Sequence, residues 1–392
     1  MKNREFQKHN YFLAIVSITV ILFGVYLSYV SGYGSDEDTL PLIGAFESMM
    51  GGKNLMASRF TPYPVAEIGI GFLSYYFGSF ASNLFTFLFF IFGITFFYIG
   101  INKKFDNKTF FLFFILCISN PVLFFDNLEP IDYSWAFMPF ALGTFFLKKN
   151  HFELAVVFFG IAIGTRIYFL IFIFVAIYLF HYSKNISIYK KTYIFICSFF
   201  IGGLFYLPIW FENGFGLAWL TAVTPNNQGL EGLSARFFYK IIMSFTFLNF
   251  VALIFFTLTI KKLKIFFSSN LLVGIIILNL VLFFFIPAEL SYLQPLLISF
   301  YLICSKNFKV EILYIIIFLQ FSSWFYEIQP LKIYYKSENK CDNVEAINAE
   351  IRFSIIEGRY LSFINSREKI SCWINDKNSE RSIKILKGKA LK

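Results

Sequence analysis

Six residues, Gly34-Ser35-Asp36-Glu37-Asp38-Thr39, set three consecutive acids directly after the first long apolar run of the chain. Carboxylates crowded this closely raise one another's pKa, which suits a general base working near neutral pH. The same residues also fit a solvated acidic loop, or a cap on a helix starting near Thr39. Two further ionisable residues, Arg166 and Glu289, adjoin apolar runs at helix ends. Ionisable groups placed there are costly and often mark a functional cavity.

The elements that must position these groups are helices in a membrane. Of the 392 residues, 57% are hydrophobic and only 15% charged, against roughly 25% charged in an average soluble domain. Apolar runs recur along the chain, and each needs about 20 residues to cross a bilayer. The net charge of +10 fits a basic cytoplasmic face. It does not point to nucleic acid, because no Lys/Arg cluster is interleaved with exposed aromatics and no nucleotide-binding glycine loop follows a strand.

Lys2, Arg4 and Lys8 place the N-terminus inside, so a retained first span over about 11–30 delivers the acidic run to the outside. A large first external loop follows over 31–64, then a helix over 65–78 packed at the outer boundary. Spans follow at about 79–100, 109–125, 133–147, 152–166, 167–182, 191–210, 236–259, 271–286, 290–304 and 308–327. The expectation is an all-α polytopic membrane protein of about eleven transmembrane helices, with surface helices in the first external loop. Residues 1–329 form the membrane domain and 330–392 a small external soluble tail. Asp36, Glu37, Asp38, Glu67, Asp126, Glu129, Asp132, Glu212, Glu231, Glu289, Arg59, Arg166 and Arg236 then all fall at or near the outer face. In the tail, Cys341 and Cys372 face an oxidising compartment, where a disulfide and two free thiols are both open readings.

The order of features from Gly34 onward resembles the glycosyltransferase C superfamily, which includes protein mannosyltransferases and lipid A aminoarabinose transferases that use polyprenyl-phosphate sugars. The matching residues are Asp36-Glu37, Gly51-Gly52, Arg59 and Pro62-Tyr63-Pro64 before a short apolar helix. Downstream, the stretch from Asn120 to Asn150 resembles paired spans with an acidic outer hairpin. The stretch around Arg166 resembles the next Gly-rich hairpin, and that around Glu289 and Tyr292 a late one. The likeness covers roughly 11–305. It departs at Leu40, where the family carries an aromatic, and in the smallness of the tail.

The resemblance implies transfer of a sugar from a polyprenyl-phosphate donor to a glycan, lipid or protein acceptor on the external face of the bacterial inner membrane. It makes Asp36 the first choice for the base, then Glu37, with Asp38 the third candidate. Arg59, Arg166 and Arg236 are candidates for the donor phosphate, since a guanidinium grips phosphate oxygens bidentately. Arg59 also fits an anchor at the lipid headgroups, which is the preferred reading for Arg236, and Arg166 equally fits a structural pairing with Asp132 or Glu129. Glu67, Asp132, Glu289 and Tyr292 are candidates for binding sugar or acceptor; Glu289 also fits a hairpin cap, and the aromatics beside Asp132 an interfacial belt. No cofactor is demanded, although carboxylates alone would suit Mg²⁺ or Mn²⁺. The competing readings are a repeat-unit polymerase for O-antigen or capsule, and a flippase or transporter of lipid-linked sugar.

Overall fold

The computed structural model describes residues 2–34, 38–52, 62–179, 186–212, 230–259, 270–286, 289–335, 346–364, 371, 374 and 379–392. In chain order the helices are α1 (Lys2–Val30), α2 (Thr39–Met50), α3 (Pro64–Phe77), α4 (Ser79–Ile101), α5 (Asn107–Ser119), α6 (Pro121–Asp126), α7 (Tyr133–Lys148), α8 (Phe152–Thr165), α9 (Phe169–Leu179) and α10 (Ile188–Glu212). They continue with α11 (Leu230–Phe245), α12 (Phe247–Thr259), α13 (Asn270–Phe285), a 3-10 turn (Leu290–Leu293), α14 (Gln294–Asn307) and α15 (Val310–Ser322). A hairpin of β1 (Tyr326–Tyr335) and β2 (Ala346–Glu357) follows, then α16 (Arg359–Ile364) and α17 (Glu380–Leu386).

Tyr11–Val30, Ser79–Ile101 and Ile188–Glu212 are long and apolar enough to cross a membrane. The pair Gly232–Phe245 and Phe247–Phe256 reaches that length together, bent by 86°. Helix α1 shows how such a helix divides its surface. Tyr11, Ile15, Ile18, Leu22, Tyr26 and Tyr29 recur at three- and four-residue spacing and stay exposed, while Leu13, Ser17, Leu27 and Ser28 are buried. An exposed apolar stripe of that length is what lipid tails cover.

Several stretches expected as full spans are built as shorter helices, and the reason is local. Within 109–125 the chain breaks at Asn120, because Pro121 has no N–H to continue α5 and restricts the residue before it. Asn120 then caps α6, its side chain accepting from Leu123 N–H at 2.9 Å. A 13-residue helix such as α5 rises about 20 Å, short of the roughly 30 Å apolar core. Within 236–259 the break is Thr246, at φ +62°. There Asn120 Nδ2 donates to the Ser244 carbonyl at 2.9 Å, satisfying a backbone group near the bend.

Asn120 Nδ2 also reaches Tyr301 Oη at 2.8 Å, and Gln320 Nε2 donates to the same hydroxyl at 2.7 Å. A closed polar network therefore ties the bend to α5, α14 and α15. Elsewhere helices meet through small residues. A Cβ on Gly160 would lie 2.4 Å from Ile201 Cγ2, and one on Gly202 2.5 Å from Ile163 Cγ2, so only glycine allows α8 and α10 to come this close.

The hairpin departs from an all-α expectation. Its strands are antiparallel, with Glu327 opposite Ile356, and the register shifts between Gln329 and Leu331. The shift brackets Pro330, which has no N–H for the ladder. The C-terminal segment docks on the first loop and its helices. Arg381 and Glu47 form an ion pair at 2.6 Å, and Tyr33 and Ile43 pack with Ile374 and Ile385. Tyr33 Oη lies 3.1 Å from the Ser74 carbonyl and 2.9 Å from that of Lys389. The end of α1, the α3–α4 joint and the C-terminal residues thus gather at one end of the bundle. Cys341 and Cys372 lie outside the described residues.

Candidate functional site

Two layers of polar residues stand at the ends of the apolar helices. The deeper one centres on Arg166. Helix α8 stops at Thr165, and Arg166 is extended (φ −145°, ψ 114°), which turns its side chain out of the helical repeat. Its guanidinium pairs with Asp132, the N-cap residue of α7: Nη2 donates to Oδ1 at 2.7 Å and Nε to Oδ2. Both side chains are wholly buried. Four tyrosine rings surround the guanidinium carbon, Tyr133 at 3.6 Å, Tyr63 at 4.5 Å, Tyr292 at 4.9 Å and Tyr168 at 5.6 Å. Desolvated cation–π contacts of this kind are worth about 2 kcal/mol. Of the two structural partners considered for Arg166, Asp132 and Glu129, the ion pair shown is with Asp132.

This layer reaches the next through one bond. Tyr133 donates its hydroxyl to Glu289 Oε2. Glu289, extended at φ −120° and ψ 150°, is the N-cap residue of the 3-10 turn.

The second layer is a cavity of about 530 Å³. Its walls come from five places in the chain. The α6 end and the loop after it supply Asp126 and Glu129, α11 supplies Tyr239 and Lys240, and the 3-10 turn supplies Glu289 and Ser291. The hairpin adds Glu327 and Glu357, and α16 adds Arg359. Arg359 Nη1 donates to Asp126 Oδ1, and Ser291 Oγ to Asp126 Oδ2. Lys240 stands within electrostatic reach of Arg236, Glu289, Arg359 and Asp126, and Arg236 lies one turn before it on α11. Burial pushes the Glu327 carboxyl up to about 7, against a smaller opposing pull from Arg359. Carboxylates and cations thus line one space of small-ligand size.

Gly34, two residues before Asp36 in the chain, packs against Glu129 of the cavity wall. Its φ of +82° suits glycine, and a Cβ there would lie 2.7 Å from the Glu129 carboxyl carbon. Asp36, Glu37 and Arg59 lie outside the described residues. Asp38 is the N-cap residue of α2 in position but makes no side-chain capping bond; its carbonyl accepts from Leu42 N–H at 3.3 Å.

The remaining expected residues divide between the layers. Glu289 lines the cavity and Arg236 flanks it. Asp132 and Tyr292 belong to the Arg166 layer. Glu67 is buried in the first turn of α3, where its Oε1 accepts from Tyr63 N–H at 3.3 Å. Among the described residues no group of three or more His, Cys, Asp or Glu side chains is arranged to hold a metal ion.

Sequence reasoning did not single out Lys240, Glu327 or Arg359 as site residues; it treated Asp126 as an outer acid, and Glu129 as an outer acid and a possible partner of Arg166. For Lys240 a signal existed, a basic pair at i and i+4, Arg236 and Lys240, in a largely apolar stretch of helix. Glu327 and Arg359 carried none, because the hairpin that brings them in is a long-range pairing. Compared with known proteins, the chain matches no family model, no curated protein and no solved structure.

Proposed function

We propose that the chain is a polytopic glycosyltransferase of a bacterial inner membrane, with about eleven spans by the positive-inside count. It moves a sugar from a polyprenyl-phosphate donor to a glycan, lipid or protein acceptor on the external face. The observation that carries this reading is the cavity of about 530 Å³, where opposed carboxylates and cations sit at the end of an apolar bundle.

The chemistry assigns each wall a task. An acceptor hydroxyl attacks the anomeric carbon, the bond from that carbon to the phosphate oxygen breaks, and the configuration inverts. Lys240 and Arg359, with Arg236 beside them, offset the charge developing on the departing lipid phosphate. A carboxylate takes the proton from the acceptor hydroxyl. Asp36 is the first choice, followed by Glu37 and Asp38; the packing of Gly34, two residues before Asp36, against Glu129 supports this order. Glu289 orients the sugar, held by Tyr133. Arg166, Asp132 and Tyr292 support that placement from below, Glu67 steadies the start of α3, and Arg59 is a further phosphate ligand from the first loop. A Mg²⁺ or Mn²⁺ ion remains an optional partner of the acidic run.

The 86° bend between α11 and α12 favours a second reading, a flippase of lipid-linked sugar, because broken helices line transport pathways. Against it, the polar groups around that bend bond to one another. They act as internal glue and not as an open path.

Sugar transfer from a panel of polyprenyl-phosphate sugars tests the proposal, with wild type beside Asp36→Asn, Glu37→Gln and Lys240→Ala. Turnover that collapses in Lys240→Ala and in one loop variant, with folding retained, is expected. Binding of every donor without turnover, together with movement of labelled lipid across vesicles, would sink the enzyme reading.

A further inference from the structure

We infer that Glu327 is a ligand-reading carboxyl of the cavity, one that meets a hydroxyl of a bound sugar. The inference rests on the proposed use of the cavity and adds a contact from outside the membrane helices. Glu327 is the second residue of β1 and lines the cavity. It is 7% exposed, and its Oε1 is enclosed with no hydrogen-bond partner among the described residues. A buried acceptor left in that state is costly and implies a missing partner.

The surroundings narrow what that partner is. Arg359, the cation that acts on Glu327, already donates to Asp126. Asp126, Glu289 and Glu357 line the same space, so a phosphate group is repelled from this side and drawn to Lys240. A neutral polar group suits the position best. A carboxyl that is half protonated near neutral pH both donates and accepts, which matches a sugar hydroxyl, itself donor and acceptor. Glu327 therefore reads the sugar while the cations hold the phosphate.

The test separates sugar from phosphate. Full-length protein in detergent is titrated with farnesyl phosphate and with farnesyl phosphate carrying glucose, mannose, galactose or N-acetylglucosamine, following tryptophan fluorescence. Wild type is expected to bind at least one sugar-bearing probe more tightly than farnesyl phosphate alone. Glu327→Leu loses that increment, about tenfold, and Glu327→Gln keeps most of it because its amide still donates and accepts. Farnesyl phosphate alone binds all three proteins equally, which also shows that they are folded. An undiminished increment in Glu327→Leu overturns the inference and leaves the transferase reading standing. Failure of wild type to bind any probe removes both.

Discussion

Arg166 and Asp132 meet two-pronged in a compartment from which solvent is excluded, with both side chains at 0% exposure. The pair joins the α8–α9 break to the N-terminus of α7, and the tyrosines around it bring in α3 and the 3-10 turn. Removing one partner strands a buried charge, at a cost of about 3–5 kcal/mol. Arg166→Ala and Asp132→Asn are each expected to lower the unfolding midpoint in detergent sharply. The double variant should recover part of that loss. A single variant as stable as wild type would show that the pair is not what holds these helices.

Tyr133→Phe deletes only the hydroxyl that reaches Glu289. The change should cost about 1 kcal/mol of stability. Sugar transfer should fall about tenfold as Glu289 loses its fixed position. Steady-state rates beside an unfolding curve check this, and unchanged turnover would detach Glu289 from the chemistry.

Glu327 makes stability depend on pH with a defined sign. Its carboxyl is raised from 4.5 to about 7 by burial, so between those values the folded chain holds more proton than the unfolded one. The contribution is complete below pH 4.5 and is lost as pH rises through about 7, to a total of about 3 kcal/mol. Other groups lining the cavity, Asp126, Tyr239, Lys240, Glu289, Glu357 and Arg359, are common to both proteins. Stability of wild type minus that of Glu327→Gln, measured from pH 4 to pH 8, isolates the Glu327 share. A flat difference would mean that the carboxyl titrates normally.

Three glycines separate backbone strain from crowding. Gly34, Gly52 and Gly78 have φ of +82°, +80° and +83°. A Cβ on Gly34 meets Glu129, one on Gly78 lies 2.8 Å from the Gly388 carbonyl, and one on Gly52 finds nothing within 4 Å. Gly52→Ala should cost about 1 kcal/mol, the strain alone. Gly34→Ala should cost more and reduce sugar transfer. Gly78→Ala should free the Leu391 and Lys392 amides, which donate to the Tyr75 carbonyl, and faster hydrogen exchange there would report it.

The helices were legible because their signals are local. Apolar runs, punctuated by Pro64, Gly78 and Arg166, mark where several of them begin or end. Lengths were less so: Thr246 carries no sequence sign of a positive φ, and a 109–125 run reads as one span until Asn120 is seen capping α6. The site was legible in part. Asp132, Arg166 and Glu289 stand out as charges at helix ends, but nothing in their spacing says that the first two bury each other. The cavity's other half was hidden because Glu327 and Arg359 arrive through pairings that sequence spacing does not encode. From residue 330 onward the hairpin was read as a separate tail, although its strands run to 10 and 12 residues and β2 alternates apolar with polar positions from Ile347 to Ile355.

The ion pair between Asp126 and Arg359 spans 233 positions of the chain. At about 5–20 residues per second of synthesis, Arg359 leaves the ribosome on the order of ten to fifty seconds after Asp126. Through that interval the growing chain holds Asp126 and Glu129 with no hairpin to close the wall. The cavity wall is therefore completed only after all the described apolar helices, which end with α15, have been made. A nascent or truncated chain that stops before the hairpin carries its apolar helices without closing the cavity, so membrane integration and closure of that cavity are separated in time.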